Sequence, residues 1–127
     1  MLDLKELLSV LGIGIIAVTS IDVLGSISSR KMNFNYVYLS PFSIIVYGLI
    51  GYLTYPIATL IWALLIGCTV GIYDGTIGWR LSIILNANFG QYKEQTLKMN
   101  MTSRIVRMLF VSSFFGSIGF AIARIAS

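Results

Sequence analysis

The chain carries four apolar runs, each close to the length of a membrane-crossing helix, within only 127 residues. A helix needs about 20 apolar residues to cross the roughly 30 Å hydrocarbon core of a bilayer. The runs cover residues 7–27, 41–55, 57–77 and 105–125. They predict an all-α polytopic membrane protein, a compact bundle of four transmembrane helices that forms a single domain over residues 1–127, with loop 79–103 as the longest connection.

The composition agrees with this class and narrows the chemistry. Hydrophobic residues make up 57% of the chain and charged residues 11%, too few to cover the surface of a soluble domain. Histidine is absent and Cys68 is the only cysteine, which excludes a Cys/His zinc site, an internal disulfide and histidine acid–base catalysis. We expect no cofactor, no metal and no enzymatic activity.

The basic residues lie at the ends of the apolar runs, as they do beside membranes, so we expect the lipid bilayer and not a nucleic acid as a partner. One side of the predicted bundle receives Arg30, Lys31, Arg80, Lys93, Lys98, Arg104 and Arg107. The other side receives Lys5 and Arg124. This bias predicts that both termini lie outside and that the first and third loops are cytoplasmic. The membrane we expect is a plasma membrane of the bacterial type.

Two prolines delimit the second span. Ser40 is a predicted N-cap, Pro41 suits the first helical position, and Pro56 ends the helix. Between the prolines the helix rises only about 22 Å, so it either starts upstream or lies in a thinned bilayer.

The third apolar run is too long for one straight span. A helix over residues 57–89 would be about 50 Å long, so we predict a bend near residues 67–80. Residues 79–89 should then lie along the inner surface of the membrane, with Ser82 and Asn86 facing water.

Two short patterns recur in the same order. "GSISSR" at 25–30 resembles "GTIGWR" at 75–80, and "GLIGY" at 48–52 resembles "GSIGF" at 116–120. A tandem pair of helical hairpins would produce this order, because parallel repeats keep the same topology. Chance matches in a chain rich in Gly, Ile and Ser are the alternative.

Glycines line the predicted helix contacts. The third helix carries Gly67, Gly71, Gly75 and Gly78 on one face, which Asp74 shares. Small residues at this spacing let helix backbones approach closely in a membrane, so we predict a packing seam. Four further glycines in the second and fourth helices are assigned to helix packing: Gly48, Gly51, Gly116 and Gly119.

Asp22 and Asp74 form the candidate polar site. A charge at the centre of a bilayer costs about 2.5–3.5 kcal/mol on the insertion scale, so both side chains should point into the bundle. Thr19, Ser26 and Ser29 share the face of Asp22. We expect the aspartates to meet each other, these hydroxyl groups, or one of three arginines: Arg30, Arg80 or Arg107.

Two interpretations of the aspartates stay open. One is a structural contact that fixes helix register, for example a salt bridge to Arg80. The other is a carboxyl group that binds a proton or a cation during transport.

The predicted function follows from these features. We expect a small transporter or channel subunit, and since four short helices rarely enclose a pathway, it should be a homo-oligomer or part of a larger membrane complex. The alternative is a non-transporting accessory, assembly or membrane-effector subunit that binds a partner through its glycine-lined faces. The sequence does not indicate a substrate, an ion or the identity of a partner.

Overall fold

The computed structural model describes residues 4–88, 90, 98 and 100–127, and this part of the chain is helical without a β-strand. Its elements in chain order are α1 (Leu4–Lys31), a 3₁₀ helix (Tyr36–Leu39), α2 (Ser40–Thr54), α3 (Leu60–Tyr73), a π-helical turn (Asp74–Gly78), α4 (Trp79–Ile84) and α5 (Met101–Ala126). Three helical stretches are long and apolar enough to cross a membrane, namely Leu4–Lys31, Leu60–Ile84 and Met101–Ala126, and Pro41–Thr54 is a shorter apolar helix.

The first two helices differ from the predicted spans at their ends. α1 continues through Arg30 and Lys31, whose positive charges suit the C-terminal end of a helix. The N-cap of α2 is Leu39, so the prediction of Ser40 at this position is wrong. The 3₁₀ helix directly before α2 brings the summed rise of the two segments to about 30 Å.

The third helix does not give way to a separate surface segment. After the π-helical turn it continues as α4, so Leu60–Ile84 forms one helical stretch of 25 residues. The predicted water-facing position of Ser82 is wrong, because Ser82 is only 2% exposed. It lies four residues after Gly78 in the continuing helix, and therefore on the same inward face.

The connection after α4 begins with a left-handed residue. Asn86 has a φ of 55°, a conformation that suits the end of a helix, and α4 ends at Ile84. Residues 91–97 and 99 of this connection lie outside the described residues. α5 begins at Met101, and the side chain of its N-cap Asn100 accepts a hydrogen bond of 2.8 Å from the Ser103 amide.

α2 and α5 make the closest crossing in the bundle, and glycines form it. A Cβ on Gly51 would overlap the carbonyl group of Gly116, and one on Gly119 would overlap the carbonyl group of Gly48. A Cβ on Gly48 would lie 3.8 Å from the Phe115 oxygen, and one on Gly116 would lie 3.8 Å from the Tyr47 oxygen. Each helix thus contributes one glycine in very close contact, Gly51 or Gly119, and one in ordinary contact, Gly48 or Gly116. This pattern corresponds to a register that aligns "GLIG" of α2 with "GSIG" of α5.

Residues of α1, α2 and α3 form the apolar core of the bundle. Its buried members are Leu7, Val10, Val18, Tyr47, Ile50, Ile66 and Val70. Next to the turn between α2 and α3, the Tyr55 hydroxyl lies 3.3 Å from the hydroxyl of Ser127, which follows α5.

Candidate functional site

The structure brings Asp22 of α1 and Asp74 of the π-helical turn together around Gly78. A Cβ on Gly78 would overlap Asp22 Oδ2 and would lie 2.8 Å from Asp74 Oδ1. The two carboxyl groups are therefore close enough for a hydrogen bond between them if one carries a proton. Asp22 is 5% exposed, so this contact lies inside the protein.

Two tyrosine hydroxyl groups hold the outer oxygens of the pair. Tyr36, from the 3₁₀ helix, donates a hydrogen bond of 2.7 Å to Asp22 Oδ1. Tyr47 of α2, whose ring is fully buried, donates one of 3.0 Å to Asp74 Oδ2.

One carboxyl oxygen is left without a donor. Asp22 Oδ2 is buried and accepts no hydrogen bond from the described residues. A buried acceptor without a partner costs about 1–3 kcal/mol, so a retained one points to a ligand or to a functional role.

The other residues of the predicted site have different partners. The Thr19 hydroxyl lies 2.7 Å from the Tyr73 hydroxyl, and Ser26 donates to the backbone oxygen of Asp22. Arg80 is exposed, as are Arg30 and Arg107. Of the three expected kinds of partner, the structure gives the aspartates two, namely each other and hydroxyl groups, while the three arginines are exposed.

The site has a polar side and an apolar side. Ser82 Oγ lies 3.2 Å from both the Tyr36 hydroxyl and the Gly78 carbonyl oxygen, which extends the polar groups toward the α1–α2 connection. On the other side lie three buried residues, Val18, Ile50 and Val70, each about one helical turn from a member of the polar cluster. We call these three residues the apolar layer.

Arg104 of α5 stabilises the π-helical turn that carries Asp74. The amide of Trp79 bonds to the Asp74 oxygen, five residues back, which frees the Gly75 carbonyl from its usual α-helical partner. Arg104 Nε donates to that carbonyl at 3.1 Å, and its guanidinium carbon lies 3.6 Å from the centroid of the Trp79 ring. Arg104 is 9% exposed, so a buried charge stabilises the turn next to the aspartates.

Gly67, Gly71 and Gly75 lie against α5 of the same chain. A Cβ on Gly71 would lie 2.8 Å from Ser112 Oγ, and one on Gly75 would lie 3.1 Å from a Met108 side-chain carbon. At Gly67 the nearest atom is the Ser112 oxygen at 3.6 Å, which is ordinary contact. Gly78 differs from these three because it faces the carboxyl groups.

Sequence reasoning missed Tyr36, Tyr47, Ser82 and Arg104 as site residues. Tyr36 and Arg104 stand near the ends of helices, where aromatic and basic residues are expected as interfacial anchors. Tyr47 carries the only polar side chain in "IIVYGLIG", and this was the one signal that singled it out.

No protein-family model matches the chain, and neither a curated protein nor a solved structure matches it.

Proposed function

We propose that this chain is an integral membrane protein of the transporter or channel type, in which Asp22 and Asp74 together bind a small cation, a proton or a metal ion. The observation that carries the proposal is the buried contact of two carboxyl groups from separate helices, one of which keeps an oxygen without a donor. Ionisable residues in membrane helices that face the bundle interior mark ion and proton pathways.

Membrane insertion is supported by the three apolar helices of spanning length and by the many large apolar side chains on the bundle surface. We propose the orientation that the basic residues predict, with both termini outside and the Tyr36 end of the bundle in the cytoplasm. A homo-oligomer is part of the same proposal, and cross-linking in native membranes tests it.

The packing of the glycines supports the transporter proposal more than the accessory-subunit alternative. Glycines that were to bind a partner pack on α5 of the same chain, with Gly71 against Ser112 and Gly75 against Met108. A bulky residue at Gly71 would therefore disrupt the bundle itself, and its effect would not report on a partner.

Hydrolysis is a second candidate function for a pair of neighbouring aspartates, because aspartyl proteases use such a pair in catalysis. Here Asp22 is 5% exposed, so a substrate has little access to its carboxyl group from solvent. We therefore propose cation binding and no enzymatic activity.

A flux assay in liposomes tests the proposal. The purified full chain is reconstituted, a pH gradient or a Na⁺ or K⁺ gradient is imposed, and the movement of each ion is followed. We expect flux of one ion that is lost in Asp22→Asn and in Asp74→Asn. Glu6→Gln, which removes an exposed carboxyl group from α1, is the matched control and should keep the flux. Absence of wild-type flux for all three ions contradicts the proposal.

A further inference from the structure

The free oxygens of the aspartate pair define what kind of ligand fits between them. Tyr36 occupies one oxygen of Asp22 and Tyr47 occupies one oxygen of Asp74. The remaining oxygen of each carboxyl group lies over the Cα of Gly78. The site therefore brings Asp22 Oδ2, which has no donor among the described residues, close to Asp74 Oδ1 over Gly78.

The neighbouring oxygens are poorly suited to a metal ion. Hard cations such as Mg²⁺ and Ca²⁺ take six or more oxygen ligands. The backbone oxygen of Asp22 already accepts from Ser26, and that of Gly78 lies 3.2 Å from Ser82 Oγ. The tyrosine hydroxyl groups direct their hydrogens at the carboxyl groups, so they present donors on that side.

The two carboxyl groups fill the space over Gly78. A methyl-sized group on Gly78 would overlap Asp22 Oδ2 and would lie 2.8 Å from Asp74 Oδ1, so a hydrated ion has no place directly over this glycine. A proton needs no such room, because it lies on the line between two oxygens.

We infer that the ligand of the Asp22–Asp74 pair is a single proton, held between Asp22 Oδ2 and Asp74 Oδ1. One carboxyl group carries the proton as an O–H bond and donates it to the other, which remains ionised. Binding forms this O–H bond and breaks the bond of the proton to its water carrier, with no change of oxidation state. The inference rests on the proposed function in taking the pair as the ligand site.

The groups that face the pair are compatible with one shared proton. α1 contributes Asp22, the 3₁₀ helix Tyr36 and α2 Tyr47. The Tyr73 hydroxyl of α3 instead lies 2.7 Å from the Thr19 hydroxyl. Arg80 of α4 is exposed, and Arg104 of α5 contacts Gly75 and Trp79. Two like charges in one buried site disfavour each other, so one retained proton relieves the repulsion.

Infrared spectroscopy of the full chain in lipid tests the inference directly. A neutral carboxyl group and a carboxylate have separate C=O stretching bands. At neutral pH we expect one neutral carboxyl band per chain that shifts in D₂O and is unchanged by Na⁺, K⁺, Mg²⁺ or Ca²⁺. Wild-type protein suffices for these measurements, so the test does not depend on a variant that folds.

Variants assign the band. Asp22→Asn and Asp74→Asn should each remove it, because the amide replaces the shared proton with its own N–H donor. Glu6→Gln should retain it. A spectrum with carboxylate bands alone, or a band that disappears on addition of one of the metal ions, overturns the inference.

The two proposals fail separately. A neutral carboxyl band in a protein without ion flux contradicts the transport function and leaves the shared proton in place. Flux of Na⁺ or K⁺ without such a band supports the transport function and overturns the inference of a shared proton.

Discussion

Gly78 lies where the carboxyl groups of Asp22 and Asp74 converge, so its missing side chain makes room for both. Its spacing from Gly67, Gly71 and Gly75 predicts a packing role. The spacing predicts that Gly78 lies on the inward face of the helix. It does not predict whether Gly78 contacts the backbone of a neighbouring helix or a pair of carboxyl groups. The distinction depends on which residues of α1 are opposite, and only the tertiary structure determines this.

Substitution of Gly78 by alanine should destabilise the protein although alanine is the better helix former by about 1 kcal/mol. The methyl group must displace the Asp22 carboxyl from Tyr36, and overpacking of this kind costs about 1–3 kcal/mol. Gly12→Ala is the control, because a Cβ there meets no atom within 4 Å. Thermal unfolding in detergent compares the two, and equal melting temperatures would contradict the crowding at Gly78.

Removal of the Tyr47 hydroxyl should leave Asp74 Oδ2 without its donor. Loss of one partner from a buried charged hydrogen bond costs about 1–3 kcal/mol. We therefore expect Tyr47→Phe to unfold at a lower denaturant concentration than wild type. Tyr52→Phe on the same helix is the control, since this ring is 43% exposed. An unchanged midpoint for Tyr47→Phe would show that the hydrogen bond makes no net contribution.

At the scale of helices, the π-helical turn is the element that local sequence rules describe least well. "YDGTIGW" contains glycines and one carboxylate, which predict a local departure from a regular helix near this place. The stabilising donor comes from Arg104, some 30 residues later in the chain. A long-range partner of this kind is invisible in helical periodicity.

Arg104→Gln should loosen this turn. The variant lacks the guanidinium that bonds to the Gly75 carbonyl and stacks on Trp79, so the amides of residues 74–80 should exchange faster with solvent. Hydrogen exchange followed by mass spectrometry measures the change. Arg107→Gln, one turn further along α5 and exposed, should leave the exchange as in wild type. Equal exchange in the two variants would exclude a role for Arg104 in holding the turn.

Alanine substitutions at the four glycines of the α2–α5 crossing should affect stability in two different ways, with one glycine of each kind in each helix. Gly51→Ala and Gly119→Ala each drive a methyl group into backbone atoms that cannot move aside, so both should lose about 1–3 kcal/mol or fail to fold. Gly48→Ala and Gly116→Ala place the methyl 3.8 Å from the nearest atom and should be near neutral. Unfolding midpoints of the four variants provide the comparison, and a reversed order would contradict the register. The pattern also bears on the predicted tandem hairpins, which stay a prediction.

For the whole molecule, apolar run length predicted the number and order of the helices. The helix ends were less predictable, because Arg30, Lys31 and Trp79–Ile84 continue helices into sequence that reads as polar or interfacial. The inward direction of the aspartates followed from the cost of a charge in lipid. Their tyrosine partners did not, since the 3₁₀ helix and α2 approach α1 and α3 only in the folded bundle.

The orientation of the bundle is open to a labelling test. In a Cys68→Ala background, Ser127→Cys should react with a membrane-impermeant maleimide from outside intact cells. Asn33→Cys should react only after permeabilisation, because the distribution of basic residues predicts that its connection is cytoplasmic. The opposite pattern would show that the bundle is inverted.

The apolar layer of Val18, Ile50 and Val70 has a mechanical consequence. If the aspartate pair binds a proton as we propose, this buried layer closes the apolar side of the site, so a proton that enters beside Tyr36 would have to leave the way it came while the bundle keeps this shape. Net throughput then requires a second arrangement in which these three side chains separate. The speed of that rearrangement, and not the affinity of the pair, would limit how many ions the protein moves each second.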